Sequence, residues 1–163
     1  EKFDEAARWY NMAIQFDPKN PVGFYNLGSV FANLQHNDSA VVMYKKALEL
    51  DPNYFTASLN LGVAYHELGK YDSAIVYTRK AILINPKDNV AYYYLALSYA
   101  KNNKHEDALR YLEQALQRGY NLYEYIIAES DLDSIRKYPA YKTIMKKYFP
   151  KKYKPEDDDK PKP

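Results

Sequence analysis

Three prolines, Pro18, Pro52 and Pro86, stand 34 residues apart, and the residues around them keep the same interval. A chain with such a period folds as stacked copies of one supersecondary unit, each burying its apolar face on its neighbours. Five residues before each proline stands an alanine, Ala13, Ala47 or Ala81, and twelve before stands another, Ala6, Ala40 or Ala74. Gly28 and Gly62 lie 24 residues ahead of the second and third prolines, each preceded by a leucine, Leu27 or Leu61, and followed three residues later by Phe31 or Tyr65. Tyr120 takes the place of a fourth proline, while Leu95, Ala96, Tyr99, Ala108 and Ala115 hold the register.

Within one period the apolar positions follow helical spacing, as in Phe24, Leu27, Gly28 and Phe31, then Ala40, Val41, Tyr44, Ala47 and Leu48. Each period therefore predicts two helices. The polar stretches Leu34 to Ser39, Leu68 to Ser73 and Asn102 to Asp107 separate them, with Asp38, Asp72 and Glu106 placed for the first turn of the second helix. Proline ends each second helix, because it lacks an amide donor and disfavours helical geometry in the residue before it. Asn20 and Asp88 are the expected caps of the helices that restart, and Pro21 suits a first helical position.

This pattern resembles the tetratricopeptide repeat over Glu1 to about Tyr120, with one full set of its residues in Phe24, Leu27, Gly28, Phe31, Ala40, Tyr44, Ala47 and Pro52. The resemblance implies an all-α fold, a right-handed superhelical array of antiparallel helix pairs. The expected units are a lone second helix and then repeats at 21–54, 55–88 and 89–120. Ser58, Thr78 and Ala96 depart from the pattern and mark places of altered packing.

The first twenty residues match only the second helix of a repeat, so Phe3, Ala6, Tyr10 and Ala13 are expected to lack a covering partner and to favour self-association. The chain begins with Glu1 and no leader, and so reads as a fragment of a longer protein. Residues 121–149 resemble a degenerate helical closing unit of bacterial repeat proteins, carried by Asp131, Leu132, Ile135, Arg136, Pro139 and Tyr141. Residues 150–163, rich in proline and charge, are expected to form an extended polar tail without a core residue.

Function classes narrow by chemistry. With 23 Lys plus Arg against 21 Asp plus Glu, the net charge of +2 gives no footprint for nucleic acid. The longest apolar run, Val90 to Ala100, falls short of the roughly 20 residues of a spanning helix, so no membrane insertion is expected. The absence of cysteine fits reducing and oxidising compartments alike. His66 to Lys70 lacks the second histidine of a zinc-binding helix, Leu68 to Lys70 lacks the glycine spacing of a phosphate loop, and no serine sits in a nucleophile elbow. No catalytic residue, cofactor or metal is therefore assigned. Asn37 to Ser39 fits a glycosylation acceptor but equally a polar turn.

What the family resemblance does imply is a protein or peptide partner, held on the first helices that line the inner surface. On that face the sequence places Tyr25, Asn26 and Ser29, then Leu59, Asn60 and Val63, then Tyr93, Tyr94 and Leu97. These nine residues are expected to form a solvent-facing wall in which Asn26 and Asn60 hold a peptide backbone and Tyr93 and Leu97 take an apolar side chain. Tyr25, Leu59 and Tyr93 stand where family members that clamp a carboxylate carry basic residues, so that clamp is not expected. The alternative function is a structural spacer or an oligomerising segment of a longer array.

Overall fold

The computed structural model describes residues 2–154, with side chains from residue 5 onward. It is all-α among these residues, and it divides into two compact units, residues 1–86 and 87–163, at the third repeat proline.

The first unit holds α1 (Lys2–Phe16), α2 (Pro21–Asn33), α3 (Asn37–Leu50), α4 (Phe55–Glu67) and α5 (Tyr71–Ile84). Helix α2 pairs with α3 and α4 with α5, while α3 also packs on α4, and α1 packs on α2. The recurring small residues explain the close pairing. A Cβ added at Gly28 would lie 2.8 Å from the Tyr44 ring, and one at Gly62 would collide with the Thr78 hydroxyl and come 3.1 Å from the Thr78 amide nitrogen. On the second helices Ala40, Ala47, Ala74 and Ala81 are fully buried, and Leu61 and Tyr44 are core residues beside Ala40, Ala47 and Ala74.

The ends of the helices follow from a few residues. Asn20 Oδ1 accepts from the Val22 amide at 3.0 Å with Pro21 in the first turn, as its sequence position predicts. Each tight turn within a pair is closed by a residue at positive φ, Gln35 (59°), Gly69 (70°) and Asn103 (58°), again 34 residues apart. The following amides, of His36, Lys70 and Lys104, each donate at 2.9 Å to the carbonyls of Phe31, Tyr65 and Tyr99, satisfying carbonyls the helix end leaves over. Asp51 Oδ1 accepts from the Asn53 amide at 2.9 Å and turns the chain out of α3 at Pro52.

The second unit holds α6 (Asn89–Lys101), α7 (His105–Gln117), α8 (Tyr123–Ala128), a 3-10 turn (Ser130–Leu132), α9 (Asp133–Arg136) and α10 (Pro139–Tyr148). Asp88 Oδ1 caps α6 through the Ala91 amide at 2.8 Å. Helices α6 and α7 pair, and the short elements close over them with Leu132, Ile135, Tyr141 and Met145 at zero exposure. Arg136 knits this closure. Its guanidinium, 4% exposed, donates to the carbonyls of Ile126, Ile127 and Glu129, to the Tyr141 hydroxyl and to Asp133.

Two expectations need correction at the chain's ends. The stretch after Pro150 does contain a core residue: Tyr153 is buried, and the Tyr123 hydroxyl donates to the Lys152 carbonyl at 3.2 Å. Residues 155–163 lie outside the described residues. At the other end the exposed apolar residues of α1 are Trp9, Met12 and Phe16 together with Ala13, whereas Ala6 and Tyr10 are half-buried. The sequence reading passed over the first three, and the Phe3 side chain lies outside the described residues.

Candidate functional site

Of the nine residues assigned to the inner face, the structure brings three to one concavity. Ser29 on α2 and Asn60 and Val63 on α4 line a hollow of about 540 Å³ in the first unit, together with Ala32, Asn33, Gln35, Asn37, Tyr44, Ala64 and Glu67. Helical spacing accounts for the set: 29 and 33 on α2, and 60, 63, 64 and 67 on α4, each form one stripe. Gln35 enters from the turn that follows α2, where its left-handed backbone reverses the chain, and Asn37 from the first residue of α3.

The floor of this hollow is a hydrogen-bonded layer. The Tyr44 hydroxyl donates to Ser29 Oγ at 3.3 Å, and Ser29 Oγ donates in turn to the Tyr25 carbonyl at 3.1 Å. Asn60 Nδ2 donates to the Tyr25 hydroxyl at 3.3 Å. Burial, then the neighbouring Tyr25 hydroxyl, push the Tyr44 pKa above its ordinary value although the bond to Ser29 opposes the shift. Tyr44 is thus a neutral donor fixed beneath the hollow.

The remaining inner-face residues stand elsewhere. Tyr25 packs its ring against Tyr54 and Tyr44, with centroids 5.1 and 5.9 Å away, and supports Asn60 from behind. Asn26 is half-buried beside it on α2 and does not line the hollow. Leu59, Tyr93 and Leu97 were expected to face solvent, and they are buried, at 8%, 4% and 3% exposure. For Tyr93 the reason is visible within its own unit: its ring stacks on Tyr120 with centroids 4.2 Å apart. Tyr120 occupies the place of the fourth repeat proline, so the residue that breaks the period is the one that covers Tyr93. The Tyr93 hydroxyl is buried, and among the described residues the Tyr120 hydroxyl is the polar group that acts on it most strongly. Burial above all, with Tyr120 next, raises its pKa well beyond the ordinary range, and burial pushes Tyr120 up to about 12. Tyr94 is half-buried on the same helix.

Chemically the hollow presents amides and one carboxylate. Asn33, Gln35, Asn37 and Asn60 each offer both donors and acceptors, and Glu67 is exposed with no ion-pair partner among the described residues. No lysine or arginine lines it. Gln35 and Asn37 lie in the polar stretch between two helices and carry no apolar signal; the trace of Gln35 in the sequence is its register with Gly69, where the backbone is left-handed. Among the described residues no three His, Asp or Glu groups converge as metal ligands, and no helix is long and apolar enough to cross a membrane.

Residues 1–118 match the family described as the cilia and flagella-associated protein 70 middle TPR-like domain. Among solved structures, a crystal structure of MamA is 26% identical over 91% of this chain and 85% of its own, with a TM-score of 0.76. A MamA structure named MSR-1 C2 is 28% identical over 72% of this chain and 68% of its own, at a TM-score of 0.65. MamA residues 41 to the end from Desulfovibrio magneticus RS-1 superpose over 93% of this chain and 88% of their own at a TM-score of 0.72, with 21% identity, a likeness of fold alone. Among curated proteins no sequence matches.

Proposed function

We propose, from the premise that this chain belongs to the TPR-like family of the cilia and flagella-associated protein 70 middle domain, that it is a non-catalytic scaffold that binds an extended peptide across α2 and α4. The supporting observation is the amide-lined hollow of the first unit, with Glu67 at its edge. An extended peptide carries an unpaired amide and carbonyl at every residue, and side-chain amides can pair with both at once. Ser29, Asn33, Asn37 and Asn60 supply those partners, while Val63 and Ala64 give an apolar strip between them.

The charge of the hollow selects the ligand further. With Glu67 as the one carboxylate lining it and no lysine or arginine in its lining, the hollow favours a peptide with a lysine or arginine side chain near Glu67 and disfavours a carboxylate end. Tyr93 and Leu97, being buried, are replaced in this role by Val63, and Tyr25 and Leu59 act as support for the binding helices rather than as contacts. Asn26 remains at the margin of the proposed surface, and Tyr94, in the second unit, is not part of it.

Selection from a random peptide library on immobilised protein tests the reading. Recovered peptides should be basic and extended, should bind at roughly micromolar strength, and should lose about tenfold with Asn60→Ala or Glu67→Gln, equivalent to about 1.4 kcal/mol. Val42→Ser, on the exposed side of α3, should bind as the unsubstituted chain does. Peptides that bind all variants equally would place recognition elsewhere.

A further inference from the structure

Charge is nearly balanced over the chain but not along it. Eight of the 23 basic residues fall between Arg136 and Lys154, a stretch in which no Asp or Glu stands, so the rest of the chain is net acidic. One of the eight is spent inside the fold, since Arg136 is buried and donates to three carbonyls. The other seven are lysines. Lys147 pairs with Glu113 at 2.7 Å and Lys152 with Glu124 at 3.7 Å, whereas Lys137, Lys146 and Lys151 are exposed and have no ion-pair partner among the described residues. A surface of one sign draws in anions before any contact is made.

The same segment forms one wall of a cleft. Between α7 and α10 lies a hollow of about 360 Å³ whose floor is Leu109 and Ile144, with Ala140 and Thr143 exposed along it. Arg110 and Lys147 stand at its edge, each beside a carboxylate, Asp107 and Glu113. A guanidinium has five protons to donate and an ammonium three, so these ion pairs hold the two cations in place without exhausting them. The hollow of the first unit has the opposite character, with Glu67 and no lysine or arginine in its lining.

We propose that the cleft between α7 and α10 docks an acidic segment of a partner protein, seating an aliphatic side chain over Leu109, Ala140 and Ile144 and pairing carboxylates with Arg110 and Lys147. Lys146 and Lys151, on the same closing segment, steer that segment in. An anionic membrane fits less well, because α10 turns Tyr141, Ile144 and Met145 into the fold and leaves no large apolar side chain to insert. A nucleic acid fits less well too, because the lining holds no aromatic ring for a base to stack on. The cleft shares no residue with the hollow of the first unit and does not depend on what binds there.

The probes are two short fluorescent peptides of glutamate and aspartate, one with a central leucine and one with serine in its place, each titrated onto the full chain by anisotropy. The leucine peptide should bind, more weakly as salt rises, and about fivefold tighter than the serine peptide. Arg110→Gln combined with Lys147→Gln should weaken it about tenfold, the joint weight of two exposed ion pairs, and Thr143→Glu should weaken it as well. Lys19→Gln, which removes an exposed charge of the first unit, should change nothing, with helical circular dichroism kept in every variant. Equal binding of the two peptides would reduce the surface to diffuse charge and overturn the proposal, as would undiminished binding by the substituted chain or no binding at all. A single-stranded oligonucleotide or vesicles of anionic phospholipid that bind more tightly than the leucine peptide and displace it would give the lysines a different ligand and overturn it too.

Discussion

Gly62 and Gln35 show how single residues carry the repeat. A methyl at position 62 has no room, because the Thr78 hydroxyl and backbone nitrogen already fill the crossing. Gly62→Ala should therefore destabilise the chain by about 1 to 3 kcal/mol, the usual cost of overpacking a core, measured by urea denaturation. Gln35 presents the opposite case. It adopts φ 59° with a Cβ, while Gly69 at the equivalent turn has none, and left-handed geometry costs an ordinary residue on the order of 1 kcal/mol. Gln35→Gly should stabilise the fold by roughly 0.5 to 1 kcal/mol and, by removing a side chain from the hollow, weaken peptide binding. A stabilised variant with full binding would show that Gln35 is strained for no purpose at the site.

At the scale of elements, the closing segment depends on Arg136. Arg136→Met leaves the carbonyls of Ile126, Ile127 and Glu129 without their shared donor, and should cost about 3 kcal/mol or more. Ending the chain at Pro150 should lower the melting temperature, since it removes buried Tyr153 and the carbonyl that Tyr123 bonds. The Tyr93–Tyr120 stack adds a dependence on pH. Both phenols have folded pKa values above the ordinary 10.0, so the folded state holds their protons longer than the unfolded chain does. The stability this contributes is complete below pH 10 and declines as pH rises toward the Tyr120 value of about 12. Melting temperatures measured from pH 8 to 12 should fall steeply for the native sequence and less steeply for Tyr120→Phe.

Across the whole molecule, the sequence displayed the fold more fully than the site. Prolines, glycines and alanines at a fixed interval are direct traces of helix ends and crossings, which is why helix pairs and the caps at Asn20 and Asp88 could be anticipated. Exposure on a first helix is harder to read, because it depends on what covers the helix from a distance. Tyr93 looked solvent-facing by its spacing, yet the ring of Tyr120, 27 residues on, stacks over it. The amides of Gln35 and Asn37 were hidden for a related reason: their place at the hollow comes from the chain reversal between α2 and α3, which the spacing of apolar residues does not register. What survives as the proposed site is the part fixed by helical stripes, Ser29, Asn60 and Val63, joined by the residues the reversal adds. The most direct test is a nuclear magnetic resonance titration of the isotope-labelled chain with a library-selected peptide. The side-chain amide signals of Asn33, Asn37 and Asn60 should move together and saturate at one ligand per chain. Shifts confined to the outer residues of α3, α5 and α7, with those amides unmoved, would contradict the account.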